Sequence, residues 1–399
     1  MANPYLKLFS HPGSLAFSAA AWVARMPISM TGIGIITMLS QTSGSYWLAG
    51  AVAATFTFSM ALLAPQVSRA VDRHGQRRVL PTATALSVTA MLALLFCNWA
   101  QWPTWTLFVS AALAGCMPSM SAMSRARWTE IYRGSPQLHT AFSLESVLDE
   151  VCFIVGPPLA VGLSVAAFPE AGPLLAALLL AGGVAAFCAQ TGTEPPPHPS
   201  ARERRRSVAA LAGMRVLILA LVALGAIAGA VDVISVAFAQ QQGQPAAASI
   251  VLSVYAVSSC LAGLLFGARK ASMPLPRLFV WAAAATALAT LPLLLVSNLW
   301  LLGAGMLLAG VFFAPTMIVA MGLVEEMAPP AQLTEGLTWL ITGLASGVAL
   351  GAALTGWVVD HFGVRAGFGV TLAAGALMAL IAWTGQRRIA AQPLQGEAL

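Results

Sequence analysis

Twelve times along the chain, apolar residues continue long enough to cross a bilayer, and this repetition constrains the fold more than any other feature. A spanning helix needs about 20 mostly apolar residues in succession. The runs cover residues 14–39, 46–67, 79–98, 104–124, 138–167, 172–190, 215–239, 246–268, 276–297, 299–323, 332–358 and 364–385. In lipid, every backbone amide must be satisfied within its own helix or around a closed barrel. These runs are too long and too evenly apolar for barrel strands. The expectation is an all-α integral membrane protein with twelve transmembrane helices. Only 9% of the 399 residues are charged, against roughly 25% in a soluble domain, so a soluble enzyme could not cover its surface. The first run, Ser14 to Leu39, is too long for the apolar core of a signal peptide and holds Arg25 at its centre. It reads as the first spanning helix.

The longest polar stretch lies in the middle, from Thr191 to Gly213, and contains Pro195-Pro196-Pro197 and Arg204-Arg205-Arg206. Consecutive prolines cannot continue a helix. The stretch divides the chain into a six-helix bundle over 1–190, a linker over 191–213 and a second six-helix bundle over 214–399. Placing the N-terminus inside puts 18 of the 20 basic residues on the cytoplasmic side, with Arg365 outside and Arg25 within a helix. That asymmetry is what the positive-inside rule requires. Both termini are therefore expected in the cytoplasm, in a bacterial inner or plasma membrane. The net charge of +6 does not signal nucleic acid, because the basic residues are scattered between apolar runs and form no single face. Trp47, Trp99, Trp102, Trp105, Trp300 and Trp357 fall at outer ends, and Trp128 and Trp383 at inner ends, as interfacial belts do. The cysteines at 97, 116, 152, 188 and 260 have neither disulfide nor metal-ligand spacing. No metal and no cofactor is expected, and the protein reads as a monomer.

The two halves resemble each other weakly. A shift of 195 residues lays Gln137-Leu138 on Gln332-Leu333, Gly156 on Gly351 and Leu159 on Leu354, so the fifth helix matches the eleventh. The loop after the second run reads Ser68-Arg69-Ala70-Val71-Asp72-Arg73-His74-Gly75-Gln76-Arg77-Arg78. Here the chain resembles the major facilitator superfamily, whose signature Gly-x-x-x-Asp-Arg-x-Gly-Arg-Arg occupies the same junction. Asp72, Arg73, Gly75, Arg77 and Arg78 match; Ser68 replaces the first glycine and Gln76 a usual basic position. With the topology, the resemblance covers the whole chain. It implies that Asp72 meets the inner end of the eleventh helix and latches the outward-facing state. A carboxylate at a helix N-terminus is stabilised there. The equivalent loop of the second half, Gly267-Ala268-Arg269-Lys270, has no aspartate, so the main latch is expected on one side only. The fifth helix carries Gly156-Pro157, the core of a longer motif found in drug:proton antiporters of this family. Cys152 and Ala160-Val161 replace its other glycines. The pair is either an antiporter remnant or a proline kink with a small-residue helix contact.

Charges inside the spans carry the sharpest signal: Arg25 on the first helix, Glu145, Asp149 and Glu150 on the fifth, and Asp232 on the seventh. A mid-bilayer charge costs about 2.5–3.5 kcal/mol on insertion scales, so it faces a partner or a wet cavity. Arg25 and Asp149 lie at similar depth. Glu145, Asp149, Cys152 and Gly156 share one helical stripe, with Glu150 about 100° away. Arg25 is expected to pair with Asp149 or Glu150, leaving at least two carboxylates with no basic partner at that depth. The pair either fixes helix packing or belongs to a proton-coupling site, since clustered carboxylates in a low-dielectric medium can exchange protons near neutral pH. Trp22, Arg25 and Ser29 share a face of the first helix, which lines the central cavity in the family; Trp22 is either a solute-stacking wall or a lipid-facing residue. Pro27, Pro118 and Pro315 are expected to break the first, fourth and tenth helices.

These features point to a secondary active transporter of a small molecule, most simply a proton-coupled exporter of a partly apolar cationic or zwitterionic solute. A proton-symporting importer, and an exporter that holds an anionic metabolite or siderophore on Arg25, remain as alternatives. No phosphate-cradling GxxxxGK[ST] loop is present, so direct drive by ATP is not expected. A membrane-embedded enzyme would need a catalytic constellation, and neither HExxH nor GxSxG occurs. A transport-dead sensor would need neither the inner loop nor the buried carboxylates.

Overall fold

A computed structural model describes residues 7–132, 135, 137–196, 208–267, 273–327 and 333–390. Its regular elements are all helical. In chain order they are α1 (Ser14–Arg25), α2 (Pro27–Ser43), α3 (Tyr46–His74), α4 (Gln76–Trp99), α5 (Trp105–Ala114), α6 (Met120–Tyr132), α7 (Gln137–Ala166), α8 (Ala171–Ala189), α9 (Ala212–Gln241), α10 (Ala247–Gly267), α11 (Leu275–Thr290), α12 (Leu299–Val311), α13 (Phe313–Met327), α14 (Leu333–Phe362) and α15 (Val364–Ala390). Short 3-10 turns lie at Thr191–Thr193, Val208–Ala210 and Leu291–Leu295. All twelve apolar runs carry helix, and eleven segments among the described residues have the length and hydropathy of a span. The fourth run is the exception, because Gly115 to Ser119 divide it into α5 and α6.

Prolines explain most of the interruptions, because proline lacks the amide that the preceding turn needs. The first run breaks at Met26, immediately before Pro27. Pro118 lies in the gap between α5 and α6, and Pro292 lies where α11 gives way to a 3-10 turn. The tenth run breaks at Phe312, three residues before Pro315. Pro157 and Pro158, in contrast, lie inside α7, which runs continuously from Gln137 to Ala166.

The chain forms two compact units. One comprises Met1–Thr42 and Phe58–Arg202, the other Ser43–Thr57 and Glu203–Leu399. The first turns of α3 thus belong to the second unit. Lipid gives apolar helices no reason to associate, so close backbone approach at small residues holds them together. In the first unit, a methyl on Gly156 of α7 would overlap Ser29 Oγ of α2, and one on Gly183 of α8 would overlap the backbone of Ala24. In the second unit, Gly225 and Gly229 of α9 press on the carbonyls of Leu344 and Val348, while Gly347 and Gly351 of α14 press on those of Val222 and Ala226. The fifth run packs on the first through Gly156, and the eleventh on the seventh through Gly351. The matching glycines therefore do the same work in each unit. Leu217, Leu221, Leu224, Phe279, Leu323 and Met378 are buried together in the second.

Trp47, Trp99, Trp105, Trp300, Trp357 and Trp383 on helices, and Trp102 between α4 and α5, are exposed, as belt residues are. Trp128 is not one of them. It is fully buried, tilted against Phe17 with ring centroids 4.7 Å apart and stacked on Tyr132 at 5.9 Å. Its indole N–H has a partner inside the unit, and a buried indole is paired for that reason.

Candidate functional site

The break between α5 and α6 sets up the site in the first unit. From Met120 the chain restarts as a helix that presents Ser121, Ser124, Arg125 and Trp128 at i, i+3, i+4 and i+7, on one face. This face meets the Glu145–Asp149 stripe of α7, and Arg25 enters at the C-terminal end of α1. Arg25 is 4% exposed. One of its terminal nitrogens binds the Glu145 carboxylate, and the other donates to Asp149 Oδ1 at 2.9 Å and to the Glu145 carbonyl at 3.3 Å. Glu145 is sealed. Its second oxygen accepts from Ser124 Oγ at 2.8 Å and from Trp128 Nε1 at 2.7 Å. Asp149 is more open, with 30% of its side chain exposed. Its Oδ2 accepts from Ser121 Oγ at 2.9 Å and from Arg125 at 2.8 Å, and Arg125 also donates to Ser121.

Two corrections to the sequence reading follow. Arg25 pairs with Glu145 and Asp149, and not with Glu150. Arg125, which the sequence groups with the cytoplasmic topology signals, is a second guanidinium on Asp149. Glu145 and Asp149 are thus both ion-paired, by two arginines on different helices. Glu150 makes no hydrogen bond or ion pair among the described residues, and neither does Asp232, which lies on α9 in the second unit. Of the carboxylates that the sequence places inside spans, those two have no basic partner among the described residues. Trp22 is half-buried one turn before Arg25. Ser29 is buried and donates to the Cys152 carbonyl at 2.8 Å, next to the Gly156 contact. It ties α2 to α7 where the proline of α2 frees the local backbone.

The signature loop has its own geometry. Gly75 has φ +86° and caps α4. This left-handed conformation suits glycine, and a Cβ there would come within 3.1 Å of Glu194 Oε1. The same Glu194 oxygen accepts from the Arg77 amide at 2.9 Å, so an acid at the start of the polar linker caps α4. Gln76, at the position where the signature has a basic residue, is buried, and its Oε1 accepts from Arg127 Nε at 2.8 Å. Arg127 also donates to the Gln190 carbonyl at 2.6 Å and Thr193 Oγ1 at 2.8 Å, with its guanidinium 3.8 Å from the Phe187 ring centroid. The guanidinium missing from the loop is therefore supplied by α6. Arg73, Arg77 and Arg78 are exposed. The side chain of Asp72 and residues 328–332, where the inner latch is expected, lie outside the described residues, as do Arg269 and Lys270. No group of histidine, cysteine or carboxylate side chains among the described residues has a metal-binding arrangement.

The profile of the Major Facilitator Superfamily matches residues 17–268 and 216–397, nearly the whole chain. The chain belongs to the Major Facilitator Superfamily. It is an integral membrane transporter of a small molecule, and not an enzyme. No curated protein matches it in sequence. Solved structures of the same fold include the nucleoside transporter NupG, with 15% identity and a TM-score of 0.70 over 95% of this chain and 99% of that one. A bacterial homolog to the human lysosomal transporter Spinster, in an inward-facing and occupied conformation, is 13% identical with a TM-score of 0.68 over 99% of both chains. The peptide transporter POT in complex with alafosfalin is 14% identical with a TM-score of 0.72 over 95% of this chain and 96% of that one. At these identities the likeness is one of fold alone.

Proposed function

We propose that this facilitator is a proton-coupled exporter of a small, partly apolar cationic or zwitterionic solute, in the manner of drug:proton antiporters. The observation that carries the reading is Asp149, a half-open carboxylate shared between Arg25 and Arg125 on two different helices. Protonating it removes the carboxylate that Arg125 pairs with and leaves Arg25 on Glu145 alone, and so loosens this edge of α6 from α7. Deprotonation draws it back. Glu145, its carboxylate closed in by three donors from three residues, acts as the fixed anchor against which Arg25 turns. Glu150 in the first unit and Asp232 in the second each add unpaired negative charge, which favours a cationic solute when the proton leaves. Trp22 offers the apolar wall, with Ser29 nearby. Within the first unit Arg25 and Arg125 stand against Glu145, Asp149 and Glu150, and this excess of acid supports a cationic over an anionic solute.

The moving parts in this reading are residues 1–190 and 214–399, joined by the 191–213 linker, with both termini cytoplasmic in a bacterial plasma membrane. Asp72, with Arg73, Gly75, Arg77 and Arg78, forms the inner latch. Gly156-Pro157 is the antiporter-type element of the fifth helix, and the working unit is a monomer. The test uses proteoliposomes with an imposed pH gradient and a panel of organic cations and zwitterions. Asp149→Asn, Glu150→Gln and Asp232→Asn are scored for gradient-driven accumulation and, in parallel, for solute exchange without a gradient. Loss of accumulation with retained exchange in Asp149→Asn supports the assignment. If all three variants accumulate solute at the parent level, coupling resides elsewhere.

A further inference from the structure

The second unit contains a contact that none of the above uses. The last turns of α14 bring Asp360 against the start of α3. Asp360 Oδ1 accepts from the Tyr46 amide at 2.9 Å, and Oδ2 accepts from the Trp47 amide at 2.7 Å and from Ser45 Oγ at 2.8 Å. Ser45 Oγ accepts in turn from the Leu48 amide at 3.2 Å. The amides at a helix start have no partner within the helix. Here those of Tyr46, Trp47 and Leu48 are satisfied by one carboxylate from a helix more than 300 residues away and the serine it holds. No cation pairs with Asp360 among the described residues, so its charge is met by the positive end of α3.

The backbones are fitted to each other behind this cap. A methyl on Gly356 would overlap the Tyr46 carbonyl, and one on Gly50 would overlap the Ala352 carbonyl. The Tyr46 hydroxyl donates to Gln240 at the end of α9. Gly356 and Asp360 lie one turn apart on α14, so a glycine seat and an acidic cap act on the same two turns of α3. Beyond Thr57, α3 continues into the first unit.

We propose that Asp360 is an outer conformational latch, holding the outer end of α3 on α14 in one state of the cycle and releasing it in the other. The proposal rests on the alternating-access reading above. Its chemistry inverts the arrangement expected of Asp72: there a loop acid meets the start of α14, and here an acid of α14 meets the start of α3. Three hydrogen bonds accepted by one carboxylate, with no buried ion pair to break, make a contact that can open and close reversibly. Loss of an N-terminal cap of this kind changes a two-state equilibrium by about 3- to 30-fold.

The experiment is hydrogen–deuterium exchange on the full chain in lipid nanodiscs, for the parent, Asp360→Asn, Asp360→Ala and Gly356→Ala. A latch predicts that Asp360→Ala speeds exchange across 43–50 and the outer end of α14 and slows it at the inner ends around 73–79. The opening equilibrium should shift by about 3- to 30-fold. Asp360→Asn, which keeps one acceptor oxygen, should shift less. Gly356→Ala keeps the charge but wedges the seat apart, and should shift in the same direction. Faster exchange confined to residues 45–48, with the inner ends unchanged in every variant, makes Asp360 a static cap and overturns the proposal. Flux assays on the parent separate the two readings. Solute flux with purely local exchange overturns the latch alone, whereas reciprocal exchange without flux of any solute overturns the transport reading and leaves the latch.

Discussion

Replacing Glu145 by alanine removes an acceptor shared by Arg25, Ser124 and Trp128, all of them buried. Breaking one side of a buried ion pair costs about 3–5 kcal/mol, because the remaining charge is left uncompensated. Arg25 would keep Asp149 at 2.9 Å, which places the pair's share at the low end, near 3 kcal/mol. The stranded Ser124 hydroxyl and Trp128 indole each add about 1 kcal/mol, so the expected loss is about 4–5 kcal/mol. Glu145→Gln keeps the volume and one acceptor oxygen for the neutral donors. It presents an uncharged amide to Arg25 and should lose about 2–3 kcal/mol. The double variant Arg25→Met with Glu145→Leu removes both charges, and an apolar pair in their place is often neutral or stabilising. It should therefore be more stable than Glu145→Ala, with a coupling energy of about 2–3 kcal/mol in the cycle. Reversible denaturant unfolding in mixed micelles, extrapolated linearly to zero denaturant, gives these values. If the double variant loses as much as the two single variants together, the residues are not coupled. The Arg25–Glu145 anchor would then not be what holds α1 to α7.

Arg125→Ala should leave Asp149 paired to Arg25 alone and shift the pH dependence of solute exchange, while Arg125→Lys restores part of it; an unchanged pH profile in both would place Arg125 outside the coupling site. Arg127→Lys keeps the charge but cannot reproduce the fork that reaches Gln76, Gln190 and Thr193. It should lose about 1.5–3 kcal/mol in the same unfolding assay, with faster amide exchange at 190–194. Gly75→Ala forces a side chain into a left-handed conformation at about 1–2 kcal/mol and crowds Glu194; Glu194→Ala in the same background should relieve the crowding and not the strain. Gly156→Ala should destabilise the first unit by overlap with Ser29, and the pair Gly156→Ala with Ser29→Ala should recover part of that loss, as thermal unfolding would record.

Most of the fold is legible in the chain because lipid acts on each helix separately. Whether a run such as 276–297 spans depends on its own length and hydropathy, and the positive-inside pattern depends on each loop's own charge. The breaks at Met26, at Gly115–Ser119 and before Pro315 follow from a missing amide, a property of one residue. Arg25, Glu145 and Asp149 likewise announce themselves, since a charge among twenty apolar neighbours needs a reason that sequence alone can state. The glycines that match at a 195-residue shift, Gly156 and Gly351, indicated that the fifth helix corresponds to the eleventh, whereas their contacts with Ser29 and Ala226 came from the packing.

Partners across helices were not legible. Arg125 and Trp128 look like ordinary inner-end residues until the α5–α6 break turns their helix toward α7. Gln76 looks like a lost basic residue until Arg127 is seen to reach it from 51 positions away. Asp360 sits in the last turns of α14 with nothing nearby in sequence to mark it, and its three donors lie more than 300 residues upstream. Length, hydropathy and loop charge are interactions of one segment with its solvent, so the sequence by itself determined the helical class and where the apolar runs lie. An ion pair or a helix cap is an interaction between two segments, so only the packing of α1, α6 and α7, and of α3 against α14, decided which charges meet.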